Sequence, residues 1–129
     1  HIHLYKKEQQ DPLRDTSLRN FARETFSGIA VRCVFDVRQP IKDDRYEIFF
    51  ALCDSAGLCI RRLKAKVQPM YYSRAERAVV AQALFDRDDW PEDNYQLEVS
   101  FLGEEMAVVR FTVGDKDVSG AYGPADFEK

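Results

Sequence analysis

From Tyr95 to Val113 the chain alternates apolar and polar residues on both sides of a short glycine turn. Tyr95, Leu97, Val99 and Phe101 hold the odd positions, with Gln96, Glu98 and Ser100 between them. After Leu102-Gly103-Glu104 the odd positions read Ala107, Val109, Phe111 and Val113, while Arg110 and Thr112 fall on the other side. A period of two puts successive side chains on opposite faces of a strand, whereas a helix would scatter these apolar residues around its axis. The pattern therefore predicts an antiparallel hairpin whose two strands offer one face to a common core.

The same period recurs upstream. Ile29, Val31, Cys33, Phe35 and Val37 share one face, as do Tyr46, Ile48, Phe50 and Leu52. Asp54-Ser55-Ala56-Gly57 follows, with Asp suited to opening a type I turn and Gly to the left-handed position of a bulged hairpin. The returning segment, Leu58 to Val67, slips its apolar phase at Arg61-Arg62, which predicts a bulge or a strand leaving its sheet. Ile2 to Lys7 reads as an additional edge strand, residues 8–20 as a polar connection, and Phe21 and Phe26 as a plug for one end of the core. Ser73-Arg74-Ala75-Glu76 has the form of a helix capping box. Read as a strand, however, Val79, Ala81, Ala83 and Phe85 share a face, and a sandwich needs a strand between its two hairpins, so a strand is expected.

About seven strands with turn signals between them predict an all-β, immunoglobulin-like antiparallel sandwich over residues 1–113. Residues 114–129, rich in Gly, Asp, Lys and Pro, read as a linker or tail. The 129 residues suit one domain, and 45% apolar content with nine Phe, six Tyr and one Trp supplies a core without metals. Charged residues nearly balance, for a formal net charge of −3. This leaves nucleic-acid binding without a basic surplus to start from. No apolar run approaches the ~20 residues of a membrane-spanning helix. The N-terminus lacks the order of a signal peptide, and three sparse cysteines fit a reducing compartment. A cytoplasmic location is expected, with a periplasmic or extracellular one as the alternative.

The run Trp90-Pro91-Glu92-Asp93-Asn94-Tyr95, the glycine turn at Gly103 and the ending Phe111-Thr112-Val113 together resemble the last two strands of many bacterial immunoglobulin-like domains. In these a Trp-Pro corner leads into a Tyr-containing strand, a short turn and a strand ending in Phe-x-Val. With Phe26 to Val37 as an early core strand and Asp54 to Gly57 as a hairpin tip, the likeness spans residues 2–113. It is similar to accessory sandwich domains that sit beside AAA+ ATPase or other effector modules in multidomain bacterial proteins. The resemblance implies a non-catalytic module that positions or recognises another protein, and it carries over no catalytic residues.

Candidate sites are few. Cys53 and Cys59 face each other if Asp54 to Gly57 forms the turn, which makes them a candidate cross-strand disulfide or redox pair; two reduced thiols at a hairpin tip is the plainer expectation. Cys33 falls on the core phase. His1 and His3 are a metal-ligand spacing without further histidines. Asp86, Asp88, Asp89, Glu92 and Asp93 crowd one corner but lack the order of a calcium loop. Phe49 points away from the predicted core face, and Tyr71-Tyr72 and Tyr122 are further aromatics without a place in the predicted core. Phe49, Tyr71, Tyr72 and Trp90 form the candidate interaction surface, although the plainer expectation for Trp90 is a cap on the core. No nucleophile motif, phosphate-binding loop or metal-hydrolase helix is present. The expected function is a non-enzymatic protein-interaction or accessory module without cofactor, acting on a protein partner or a covalently linked domain. An extracytoplasmic adhesion or carbohydrate-binding sandwich is the alternative.

Overall fold

The computed structural model describes residues 1–36, 47–71, 77–87, 89–101 and 104–127. Among these, ten strands build two facing sheets. They are β1 (Ile2–Lys6), β2 (Leu18–Ala22), β3 (Gly28–Asp36), β4 (Ile48–Cys53), β5 (Cys59–Lys64), β6 (Lys66–Tyr71), β7 (Arg77–Asp86), β8 (Asp93–Phe101), β9 (Glu104–Gly114) and β10 (Val118–Ser119). One sheet has the order β1-β3-β7-β6, the other β10-β2-β9-β8-β4-β5. In immunoglobulin lettering these are A-B-E-D facing a sheet centred on G-F-C-C′, so the predicted sandwich is the observed fold.

The strand count exceeds the expected seven for physical reasons. β1 is the expected edge strand and lies antiparallel on β3, but the segment read as a connection ends in a further strand, β2, which lies parallel on β9 in the opposite sheet. The chain also changes sheets at Ala65, whose buried side chain separates β5 from β6. The expected slip is real but sits one residue early. Leu52 pairs with Arg61 and Cys53 with Cys59, so Ile60 is the extra residue of a bulge. The ambiguous segment is a strand from Arg77 onward: β7 pairs with β3 from Gly28–Asp86 to Asp36–Ala78 and with β6 on its other side. A central position between two partners overrides local helix propensity.

The alternating residues meet between the sheets. Ile29, Val31 and Cys33 of β3 and Ala81 and Phe85 of β7 face Ile48, Phe50 and Leu52 of β4. Tyr95, Leu97 and Val99 of β8 and Ala107, Val109, Phe111 and Val113 of β9 complete the buried cluster. One end is closed by a ring of aromatics. Successive centroid distances are 5.2 Å for Phe21–Phe26, 5.4 Å for Phe26–Trp90, 5.8 Å for Trp90–Tyr95, 5.4 Å for Tyr95–Phe111 and 5.8 Å for Phe111–Phe21. All lie in the range where ring quadrupoles favour tilted or offset contact.

Residues 114–127 are part of the domain, which corrects their reading as a linker or tail. Tyr122 is 2% exposed, exchanges backbone hydrogen bonds with Ile2 at 2.9 Å in both directions, and donates its hydroxyl to the Arg110 carbonyl at 2.8 Å. Asp117 accepts from the Lys6 ammonium at 2.5 Å and from the Ala22 amide at 2.8 Å. Phe127 packs against the core cluster. A polar composition hides a segment anchored by Tyr122 and Phe127.

Candidate interaction surface

A sheet that ends without a neighbour presents unpaired backbone groups, so edges decide what a sandwich can bind. The two sheets have four. β1 is bridged by Tyr122 at Ile2. β6 carries Pro69, which has no amide hydrogen to offer. β10 is two residues long. β5 has six residues, no proline, and no described strand on its outer side.

The edge at β5 is basic. Arg61, Arg62 and Lys64 lie in it and Lys66 just beyond, in a chain whose formal net charge is −3. Register divides them: Arg62 and Lys64 pair with Ala51 and Phe49 on the outer face, whereas Arg61 pairs with Leu52 on the core side, at the rim. The Arg62 guanidinium lies 4.2 Å from the Phe49 ring centre, a cation–π contact that covers part of this half-buried ring. Leu58, 67% exposed, and Ile60 add apolar surface at the same edge.

The hairpin tip that leads into β5 is tightly built. Asp54 accepts from the amides of Ala56 and Leu58 at 3.0 Å each, and Gly57 takes φ +82°, the left-handed conformation the turn requires. Cys53 and Cys59 then face each other and are joined in a disulfide, the candidate cross-strand pairing. Direct cross-strand pairing beside the bulge brings their backbones together. Glu98 lies within 4.8 Å of both sulfurs. Cystine sulfur is not thiolate, so the trio as it stands is not a metal-ligand set.

Other sequence candidates separate. Trp90 is 3% exposed and donates its indole N–H to the Ser27 carbonyl at 3.2 Å, so it is a core cap and leaves the interaction surface. Tyr71 ends β6 in register with Arg77; Tyr72 lies outside the described residues. Phe49 sits beside the β5 edge. The acidic corner disperses: Asp86 pairs with Lys7 at 2.8 Å, Asp89 with Arg23 at 3.3 Å, and Asp93 accepts from the Ser55 hydroxyl at 3.0 Å. Asp88 is outside the described residues. His3 stacks parallel to Tyr5 at 6.0 Å, and its pKa is lowered by burial, then by Arg32 and the N-terminal ammonium. Cys33 is buried, with its thiol pushed up to about 12 by desolvation.

The β5 edge is not legible as a surface in the sequence. The signal was present in the density of Arg61, Arg62, Lys64 and Lys66, but only the sheet order shows these cations on an open edge. No helix among the described residues is long and apolar enough to cross a membrane. No protein-family model matches the chain, and no curated protein matches it significantly.

Proposed function

We propose that this chain is a non-catalytic interaction module, an accessory sandwich of a larger bacterial protein, that receives an acidic extended segment of its partner along β5. The observation that carries the reading is that β5, among the four sheet edges, is long, proline-free and without a described neighbour. A partner strand laid there gains backbone hydrogen bonds, and alternate side chains set specificity. The cations make the edge selective. Two copies brought edge to edge would oppose Arg61, Arg62 and Lys64 to their own like charges, which disfavours self-pairing. A strand bearing Asp or Glu meets the same cations favourably.

The test uses a soluble peptide with alternating Glu and Val, titrated into the isotopically labelled chain. Amide shifts should concentrate on Cys59 to Lys64 and β4. The double variant Arg61→Glu/Lys64→Glu should bind about tenfold more weakly and favour a Lys/Val peptide instead. Shifts centred on another edge, or unchanged affinity in the variant, would refute the assignment.

The Cys53–Cys59 bond favours a second reading, an extracytoplasmic adhesion or carbohydrate-binding sandwich, because disulfides persist in oxidising compartments. Thiol counting separates the two, as argued below.

A further inference from the structure

Where the end of β5 meets the four-stranded sheet, that sheet carries a concavity of about 320 Å³ that shares Lys64 with the β5 edge; the proposal made for it does not rest on a strand binding at β5. Strand register explains its lining. Tyr5 pairs with Ala30 and Ala30 with Leu84, which makes one apolar row across β1, β3 and β7. Arg32 pairs with Gln82 and Gln82 with Lys66, which makes a polar row beside it across β3, β7 and β6. Tyr5 and Ala30 are buried although they face away from the core, and Leu84 is 37% exposed. The crossover at Ala65 brings Lys64 to the same rim.

Two properties define what this hollow would hold. Among the described residues, every charged side chain lining it is a cation (Arg32, Lys64 and Lys66), in a chain of formal charge −3. Its floor is apolar, and a volume near the lower end of the range for small-molecule sites admits a compact ligand. We propose that it is a binding site for a small carboxylate with a short apolar body. The body would lie on Ala30 and Leu84, and the carboxylate would reach the Lys64 and Lys66 ammonium groups with the Gln82 amide as a neutral donor. An amphipathic monoanion uses both rows; inorganic phosphate would use only one, and no glycine-rich loop lines the hollow to cradle it.

The probes are 3-phenylpropionate, its neutral isostere 3-phenylpropanamide, and inorganic phosphate, each titrated into the labelled chain. The carboxylate should give saturable amide shifts at Ala30, Arg32, Gln82 and Leu84, with a dissociation constant of about 1–10 mM, as suits a fragment. The amide should bind at least about fivefold more weakly, and Lys64→Gln/Lys66→Gln should weaken the carboxylate by a similar factor. Equal binding of the amide, equal shifts from phosphate, or no saturable shifts at these positions would overturn the proposal. The comparison of the three probes on the unaltered chain does not depend on any variant folding.

Discussion

The Tyr95 hydroxyl donates a 2.7 Å hydrogen bond to the carbonyl of Pro91, four residues back. Tyr95 is the third residue of β8, and the bond closes the corner between β7 and β8, the place where immunoglobulin-like sandwiches carry a tyrosine corner. The ring itself contacts both Trp90 and Phe111, so the hydroxyl is the one part of Tyr95 that Phe cannot replace. Tyr95→Phe should lower stability by about 1–2 kcal/mol, through the lost bond to the Pro91 carbonyl and the lost hydroxyl contact with Arg87. Urea denaturation with an unchanged m-value is the measurement. Trp90→Ala should cost more, about 3–5 kcal/mol, because it opens the aromatic ring at Phe26 and Tyr95.

Tyr122 tests whether the chain beyond Gly114 belongs to the folded unit. Its ring is buried under the Arg19 guanidinium at 4.6 Å, and its hydroxyl is pushed up to about 12 by burial. Removing the ring in Tyr122→Ala should cost about 3 kcal/mol. Tyr122→Phe should cost only about 1 kcal/mol, through the lost bond to the Arg110 carbonyl. Truncation after Gly114 should be at least as damaging as Tyr122→Ala. A truncated protein with unchanged denaturation midpoint would return this segment to the status of a linker.

These two aromatics mark where sequence alone was informative. The alternation around Tyr95 placed Leu97, Val99, Val109 and Phe111 on one buried face, because the period of a strand is visible wherever one face is apolar. Trp90 and Phe26 were legible as end plugs for the same reason: large apolar groups at turns have few other places to go. Tyr122 was not legible. It stands among Gly, Asp and Lys, and its burial depends on a bridge to Ile2, far away in sequence. The β5 cations were legible as residues but not as a surface. Whether Arg61 and Lys64 line an open edge depends on which strands neighbour β5, and no local pattern encodes sheet order.

The ion pair between Lys6 and Asp117 predicts a pH dependence with a definite sign. Burial raises the Asp117 pKa, but hydrogen bonds from the Lys6 ammonium and the Ala22 amide outweigh it and hold the carboxyl below its ordinary 3.8. Asp93 is likewise lowered, first by the Ser55 hydroxyl, and Asp126 first by Arg19. For each, the unfolded chain takes up a proton at higher pH than the folded one. Stability is therefore complete above the unfolded value and declines as pH falls through the lowered folded values. Denaturation midpoints should fall as pH drops below about 4. Asp117→Asn should flatten that decline while lowering stability at pH 7. A midpoint that is constant from pH 6 to about 2 would contradict the pairing.

The cysteines predict a count that also decides between the two functional readings. Cys53 and Cys59 are bonded, and Cys33 is the remaining thiol, buried and with its ionisation suppressed. A thiolate reagent acts on the ionised form at accessible sulfur. The folded, unreduced protein should therefore react slowly or not at all; denaturant alone should expose one thiol, and denaturant after reduction should expose three. Cys33→Ser isolates the pair: denatured without reduction, it should give no reaction. Such a result, obtained on protein prepared with free thiols blocked at lysis, favours the oxidising-compartment reading. Three reactive thiols in unreduced, denatured protein would mean that the β4–β5 tip is held by its Asp54 turn alone. They would leave the reducing-compartment interaction module as the reading in possession.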